Sequence, residues 1–138
     1  MKKNIIIALL IIVVSIVFLK INSKYDIGFN TTTHSGVQIG WIEHSGSNYI
    51  GAKYTKFSGN LAKKVKFKEG DGVTFHYESE VEDGKLSINL LDSEGETIIE
   101  FEPDKKDEVI EITKTGKYTV KVIGKDTKGS FNINWEVE

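Results

Sequence analysis

The chain has 138 residues, with 18 lysines and no arginine, 20 acidic residues, three histidines, one proline and no cysteine. The lack of cysteine excludes disulfides, thiol catalysis, thiolate metal sites and a lipidated-cysteine anchor. Beyond the first 20 residues 15 lysines stand against 20 acids, net −5, and an acidic chain without arginine is poorly suited to nucleic acid. Rich Lys, Ile and Asn with no Arg matches the codon usage of an AT-rich bacterial genome.

The N-terminus reads Met1-Lys2-Lys3-Asn4, then an apolar run from Ile5 to Leu19 broken only by Ser15. Its 15 residues exceed the core of most cleaved signal peptides and fall slightly short of the ~17–25 of a spanning helix. No two small residues stand two apart between Phe18 and Tyr25, so the run reads as an uncleaved signal-anchor, with a cleaved secretory peptide as the alternative. Lys2 and Lys3 remain cytoplasmic by the positive-inside rule, which puts the rest of the chain outside. The expected organisation is an anchor or signal segment over 1–24 and one extracellular domain over 25–138. The expected location is the cell membrane, single-pass with the C-terminal domain outside, or secreted if the segment is cleaved.

The triplet His-Ser-Gly then occurs twice, at His34 and His44. Val37 to Ile42 alternates between them like a strand, and an extended decapeptide separates the histidines by about 33 Å. They cannot share a metal unless the strand bends back, and no Gly-x-Ser-x-Gly elbow is present, so the stretch reads as a strand with a turn at each end. Strands follow over Tyr49–Lys56 and Leu61–Phe67. Aromatic residues crowd this region, and Trp41, Tyr49 and Tyr54 are candidate ligand contacts, because exposed rings on β-sandwiches stack on sugars; core packing is the competing explanation.

From Val73 the alternation has period two. Val73, Phe75, Tyr77, Ser79 and Val81 fall on one face, and Thr74, His76, Glu78 and Glu80 on the other. Asp83-Gly84 is a type I′ hairpin signal. It would set Glu82 against Lys85, Val81 against Leu86, Ser79 against Ile88 and Tyr77 against Leu90. Further strands are expected over Thr97–Phe101, Val109–Ile112, Lys117–Ile123 and Ser130–Val137, with turns at Asp92–Gly95, Thr115-Gly116 and Gly124–Gly129. Gly116-Lys117-Tyr118 has the form of a tyrosine corner, and Trp135 joins Phe131, Ile133 and Val137 on the inner face of the last strand. The expected fold is all-β: an antiparallel β-sandwich, jelly-roll-like or Greek-key-like, of about eight strands.

Charge is uneven along the chain. Six lysines and no acid lie between Lys53 and Lys68, whereas fifteen acids and three lysines lie between Glu69 and Glu111. Such blocks are expected to meet across strands. Two other readings are a Ca²⁺ site in the loop Asp92–Glu96 or Asp104–Asp107-Glu108, and contact of the lysine stripe with anionic lipid headgroups or wall polymers. His76, on the outer face, reads as a solvated histidine. No nucleophile, base and oxyanion site can be assembled, so a hydrolase is the weakest of the function classes.

The series Lys66-x-x-x-Gly70-Asp71, Gly84-x-Leu86-x-Ile88-x-Leu90-x-Asp92-x-x-Gly95, Gly116-x-Tyr118-x-Val120-x-Val122 and Gly129-Ser130-Phe131-x-Ile133-x-Trp135 resembles the bacterial pre-peptidase C-terminal domains. The resemblance spans about residues 60 to 137. It implies an extracellular jelly-roll-like module that binds rather than catalyses, although here an apolar anchor stands where a peptidase would precede. The expectation is therefore a non-catalytic envelope module, with wall polysaccharide or an envelope protein as partner and no obligatory cofactor. A structural or protective envelope protein without a small ligand is the alternative.

Overall fold

The computed structural model describes residues 32–138, so the expected membrane segment lies outside the described residues. Every described element is an antiparallel strand: β1 (Thr32–Ile39), β2 (Ile42–Ser45), β3 (Tyr49–Phe67), β4 (Gly72–Leu91), β5 (Thr97–Phe101), β6 (Asp107–Glu111) and β7 (Gly116–Val137). β3, β4 and β7 run for 19, 20 and 22 residues, far beyond the ~5–6 of an ordinary strand. They lie side by side in the order β3-β7-β4.

These long strands bend along one line. Register shifts fall between Tyr54 and Gly59 on β3 and between Val81 and Lys85 on β4, both opposite Gly124 to Gly129 of β7. The outer edges divide at the same line: β2 then β1 along β3, and β6 then β5 along β4. The sheet thus folds into two five-stranded halves, a first half-sheet β2-β3-β7-β4-β6 and a second half-sheet β1-β3-β7-β4-β5. A bulge adds one residue to a strand and so changes which parity faces inward. On β3 the buried set changes from Ile50, Ala52 and Tyr54 to Phe57, Leu61, Val65 and Phe67. On β4 it changes from Val73, Phe75 and Tyr77 to Ile88 and Leu90. One core lies between the halves, and ring pairs join them: Phe67 to Phe75 at 6.3 Å, Phe75 to Phe101 at 5.2 Å and Tyr77 to Phe101 at 4.9 Å.

The expected Asp83-Gly84 hairpin does not form. Gly84 has φ +73 and its N–H donates to Asp83 Oδ1 at 2.9 Å, but this left-handed glycine serves a bulge inside β4. Tyr77 lies opposite Ile133 and Leu90 opposite Val120, so β7 supplies the partner that each arm was expected to find in the other. Glu82 pairs with Lys128 at 3.1 Å rather than with Lys85. The same correction merges Tyr49–Lys56 with Leu61–Phe67 into β3, and Lys117–Ile123 with Ser130–Val137 into β7. Conversely Val37–Ile42 divides at Gly40, φ +62, between β1 and β2. The described residues form seven strands, close to the eight or so expected.

Candidate functional site

Because alternate residues of the first half-sheet fill the core, the intervening ones stand on its outer face. Register arranges them in rows across the strands. Tyr49, Asn134, His76 and Asp107 form one row; His44, Gly51, Asn132 and Glu78 the next; Ile42, Lys53, Ser130 and Glu80 a third. Gly51 leaves the middle row without a side chain, and a Cβ there would come within 2.6 Å of His44 Nε2. The face is hollowed as a result. Three depressions of about 330, 260 and 350 Å³ succeed one another along it. The first two share Glu78 and Asn132, and the last two share Ile42, Lys53, Glu80 and Ser130, so together they form one open trough. At one end His76 Nδ1 is hydrogen-bonded to Asp107 Oδ1. The Tyr49 ring lies 6.3 Å from that of His44.

The expected ligand contacts separate. Tyr49 is 39% exposed and belongs to the trough face. Tyr54 is 3% exposed and presents no ring face to solvent. Trp41 stacks on it at 5.5 Å, lies 5.1 Å from Phe57, and donates from Nε1 to Glu43 Oε2 at 3.0 Å. Both rings therefore close the open edge of the core. Trough residues Asn132, Asn134, Glu78 and His76 already stood on outward positions in the alternating pattern, but nothing in it marked them as neighbours of His44 and Tyr49.

The two His-Ser-Gly triplets do not both sit at strand ends. The first lies inside β1, and the corner at Gly40 swings β2 back so that His34 Nε2 meets Glu43 Oε2 at 3.2 Å, while Gln38 Nε2 lies 3.0 Å from His34 Nδ1. Beneath this group Lys63 is 2% exposed on the inner face of β3. Burial pushes its ammonium below the usual lysine range, with the Glu43 carboxylate opposing. A lowered folded-state value means that the unfolded chain binds more protons, so stability should rise as pH climbs from the folded value toward 10.5. Tyr54 and Tyr77 act the other way. Burial raises both phenols, Thr127 partly offsetting it for Tyr54 and nearby acids adding to it for Tyr77, so their stability is complete below pH 10.0 and is lost above it. Urea midpoints at pH 7 and pH 9.5 should therefore increase in the natural protein, and Lys63→Met should flatten that increase. An unchanged slope in the variant would show that Lys63 is not the titrating group.

No family model matches the chain, that of the pre-peptidase C-terminal domains included, and no curated protein matches it in sequence. Solved structures show distant similarity. The enzymatically active domain of tailspike protein 4 of bacteriophage CBA120 is 8% identical over 80% of this chain, with a TM-score of 0.43, and the match spans only 20% of the tailspike chain. Accessory secretory protein 1, 2 and 3 of Streptococcus pneumoniae is 9% identical over 81% of this chain and 88% of its own, with a TM-score of 0.41. The CBM22-1 xylan-binding domain of Paenibacillus barcinonensis is 9% identical over 80% of this chain and 86% of its own, with a TM-score of 0.37.

Other residues singled out by the sequence serve the scaffold. Tyr118 Oη donates to the Lys114 carbonyl at 2.6 Å, two residues after Gly116 opens β7, and Trp135 is buried beside Phe75. In the loop considered for calcium, Asp92 Oδ1 accepts from the N–H groups of Glu94 and Glu96, each at 2.9 Å. Among the described residues no group of three or more His, Asp or Glu is placed to hold a metal ion. The charge blocks meet only in part: Lys53 shares a row of the trough with Glu80. β7 separates β3 from β4, so Lys66 lies opposite Lys117 and Lys64 opposite Thr119, while Glu78 and Glu80 line the trough on the other half.

Proposed function

We propose that the trough on the first half-sheet binds a glycan chain without turning it over, as part of a module held at a bacterial cell surface. The observation that carries this reading is the trough itself: an open furrow with amide, imidazole and carboxylate groups fixed on strands. Asn132 and Asn134 are two residues apart on β7, which spaces their amides by about 6.8 Å, and each amide offers donors and acceptors to hydroxyl groups. Glu78 and His44 flank Asn132 in the same row. Tyr49, beside Asn134, offers an apolar ring face of the kind that stacks on a sugar. The carboxylates lie on an open sheet face, not in a cleft that excludes water, which favours recognition over hydrolysis.

Binding of the full chain to soluble oligosaccharides from a panel of bacterial wall and plant polysaccharides, measured by calorimetry, tests this. Asn132→Ala with Asn134→Ala removes two sets of hydrogen bonds at about 1 kcal/mol each and should weaken affinity by tenfold or more, with the urea midpoint unchanged. If no glycan binds, or if the double substitution leaves affinity intact, the reading fails. The first of those results favours a structural envelope protein.

A further inference from the structure

The outer face of the second half-sheet is opposite in character to the trough. Lys64 and Lys66 on β3, Lys117, Lys121 and Lys125 on β7 and Lys85 on β4 occupy outward positions, and the acids set among them are Glu100 on β5 and, at the bend of β7, Asp126, which pairs with Lys56 at 3.8 Å. Lys85 lies directly opposite Lys125. Like charges in that arrangement destabilise a sheet, so the fold tolerates a cost to keep this face positive. On the trough face Glu78, Glu80, Asp107, Glu111 and Glu136 hold outward positions, against Lys53 and Lys128. The sandwich is therefore polarised, with an excess of lysines on one side and of acids on the other.

Apolar groups are set among the lysines. A depression of about 470 Å³ is lined by Val81, Leu86, Pro103 and Ile123, with Lys85, Lys125 and Glu100 also at its walls. Val37 and Ile39 project from β1 on the same face and are 50% and 52% exposed. The described chain begins at Thr32, paired with Lys63 and hence beside Lys64. Between it and the apolar run ending at Leu19 lie residues 20–31, which reach at most about 40 Å when fully extended.

We propose that this basic face docks on an anionic phospholipid surface, with the trough turned away from it. Lysine stems lie along the sheet while their ammonium groups meet lipid phosphates, and the exposed Val, Ile and Pro side chains settle between headgroups. A soluble polyanion would satisfy the lysines but leave those apolar groups in water. The expected anchor holds the face within reach of the bilayer, so docking is intramolecular in effect and needs little affinity of its own. Docking rests on the anchor expectation and is independent of the glycan reading.

The test uses the full chain reconstituted in nanodiscs of phosphatidylcholine, or of phosphatidylcholine mixed with phosphatidylglycerol, with lysine acetylation followed by peptide mass spectrometry. On the anionic discs at low salt, Lys64, Lys66, Lys85, Lys117, Lys121 and Lys125 should react about fivefold more slowly than on the neutral discs. Lys53, in the trough, should react equally on both, and high salt should restore the slowed lysines. In Lys121→Gln/Lys125→Gln the protection of the remaining four should fall from about fivefold to about twofold or less. Equal rates on the two disc types overturn the proposal, as does a chain that enters neither. Slowing that appears only when a soluble polyol-phosphate polymer is added, on either disc type, also overturns it and assigns the face to a polymer. Loss of glycan binding would change none of these rates, so the two readings fail separately.

Discussion

Gly129→Ala should cost about 3 kcal/mol or more and leave little folded protein, although it adds one methyl group. Gly129 sits where the three long strands bend, opposite Tyr54 on β3 and Val81 on β4. Its φ is +151, and a Cβ built there would lie 1.8 Å from the Glu80 carbonyl oxygen and 3.2 Å from Val81 Cα. Neither neighbour is the end of a flexible side chain, so relief requires β4 to move away from β7, and that pairing runs through both half-sheets. Gly116→Ala, on the same strand, supplies the contrast. Its φ lies outside the left-handed range and the nearest atom to an added Cβ is Ser93 Cβ at 3.5 Å. That substitution should stabilise by about 0.4–1 kcal/mol through the entropy of the unfolded chain. Urea unfolding of both variants checks the pair, and a Gly129→Ala midpoint close to that of the natural protein would refute the close approach at the bend.

Phe75→Ala should cost about 3–5 kcal/mol. Phe75 is fully buried on β4 in the first half-sheet and its ring meets Trp135 at 6.1 Å within that half. It also meets Phe67 and Phe101 of the second half-sheet, the contacts that hold the folded sheet closed. Removing the ring leaves a cavity that three other large rings cannot readily collapse to fill. Phe75→Leu retains much of the volume and should cost less than half as much. If both variants unfold at the same urea concentration, within error, as the natural protein, the halves do not rely on this contact. Ile98→Ala removes a half-exposed side chain on the edge strand β5 and should change stability far less, which separates core packing from a general effect of apolar truncation.

The alternation of apolar and polar residues in the sequence shows strand character and the inner face directly. Thr97–Phe101 coincides with β5, and the outward positions of Thr74, His76, Glu78, Asn132 and Asn134 follow from period two alone. The inward positions of Phe75, Tyr77, Phe131, Ile133 and Trp135 follow in the same way. Half of the trough was therefore visible as a set of polar residues on strands. The neighbours of those residues were not, because Gly51 and Asn132 are far apart in sequence and only register brings them into one row with His44 and Glu78.

The bends were misread for a related reason. Asp83-Gly84 and Gly124 to Gly129 carry the residues that reverse a chain, and a left-handed glycine satisfies a hairpin and a bulge alike. Tyr77 facing Leu90 and Tyr77 facing Ile133 are equally good apolar pairs, so local pattern could not choose between them. The sequence by itself determined an all-β, cysteine-free, acidic domain and which face of each strand is apolar, since period-two burial is a local property of the extended chain. Only the tertiary structure decided that three long strands run through both halves, that β7 stands between β3 and β4, and that basic and polar residues collect on opposite outer faces. Those outcomes depend on which strands lie side by side, and that is settled by packing one shared core across contacts remote in sequence.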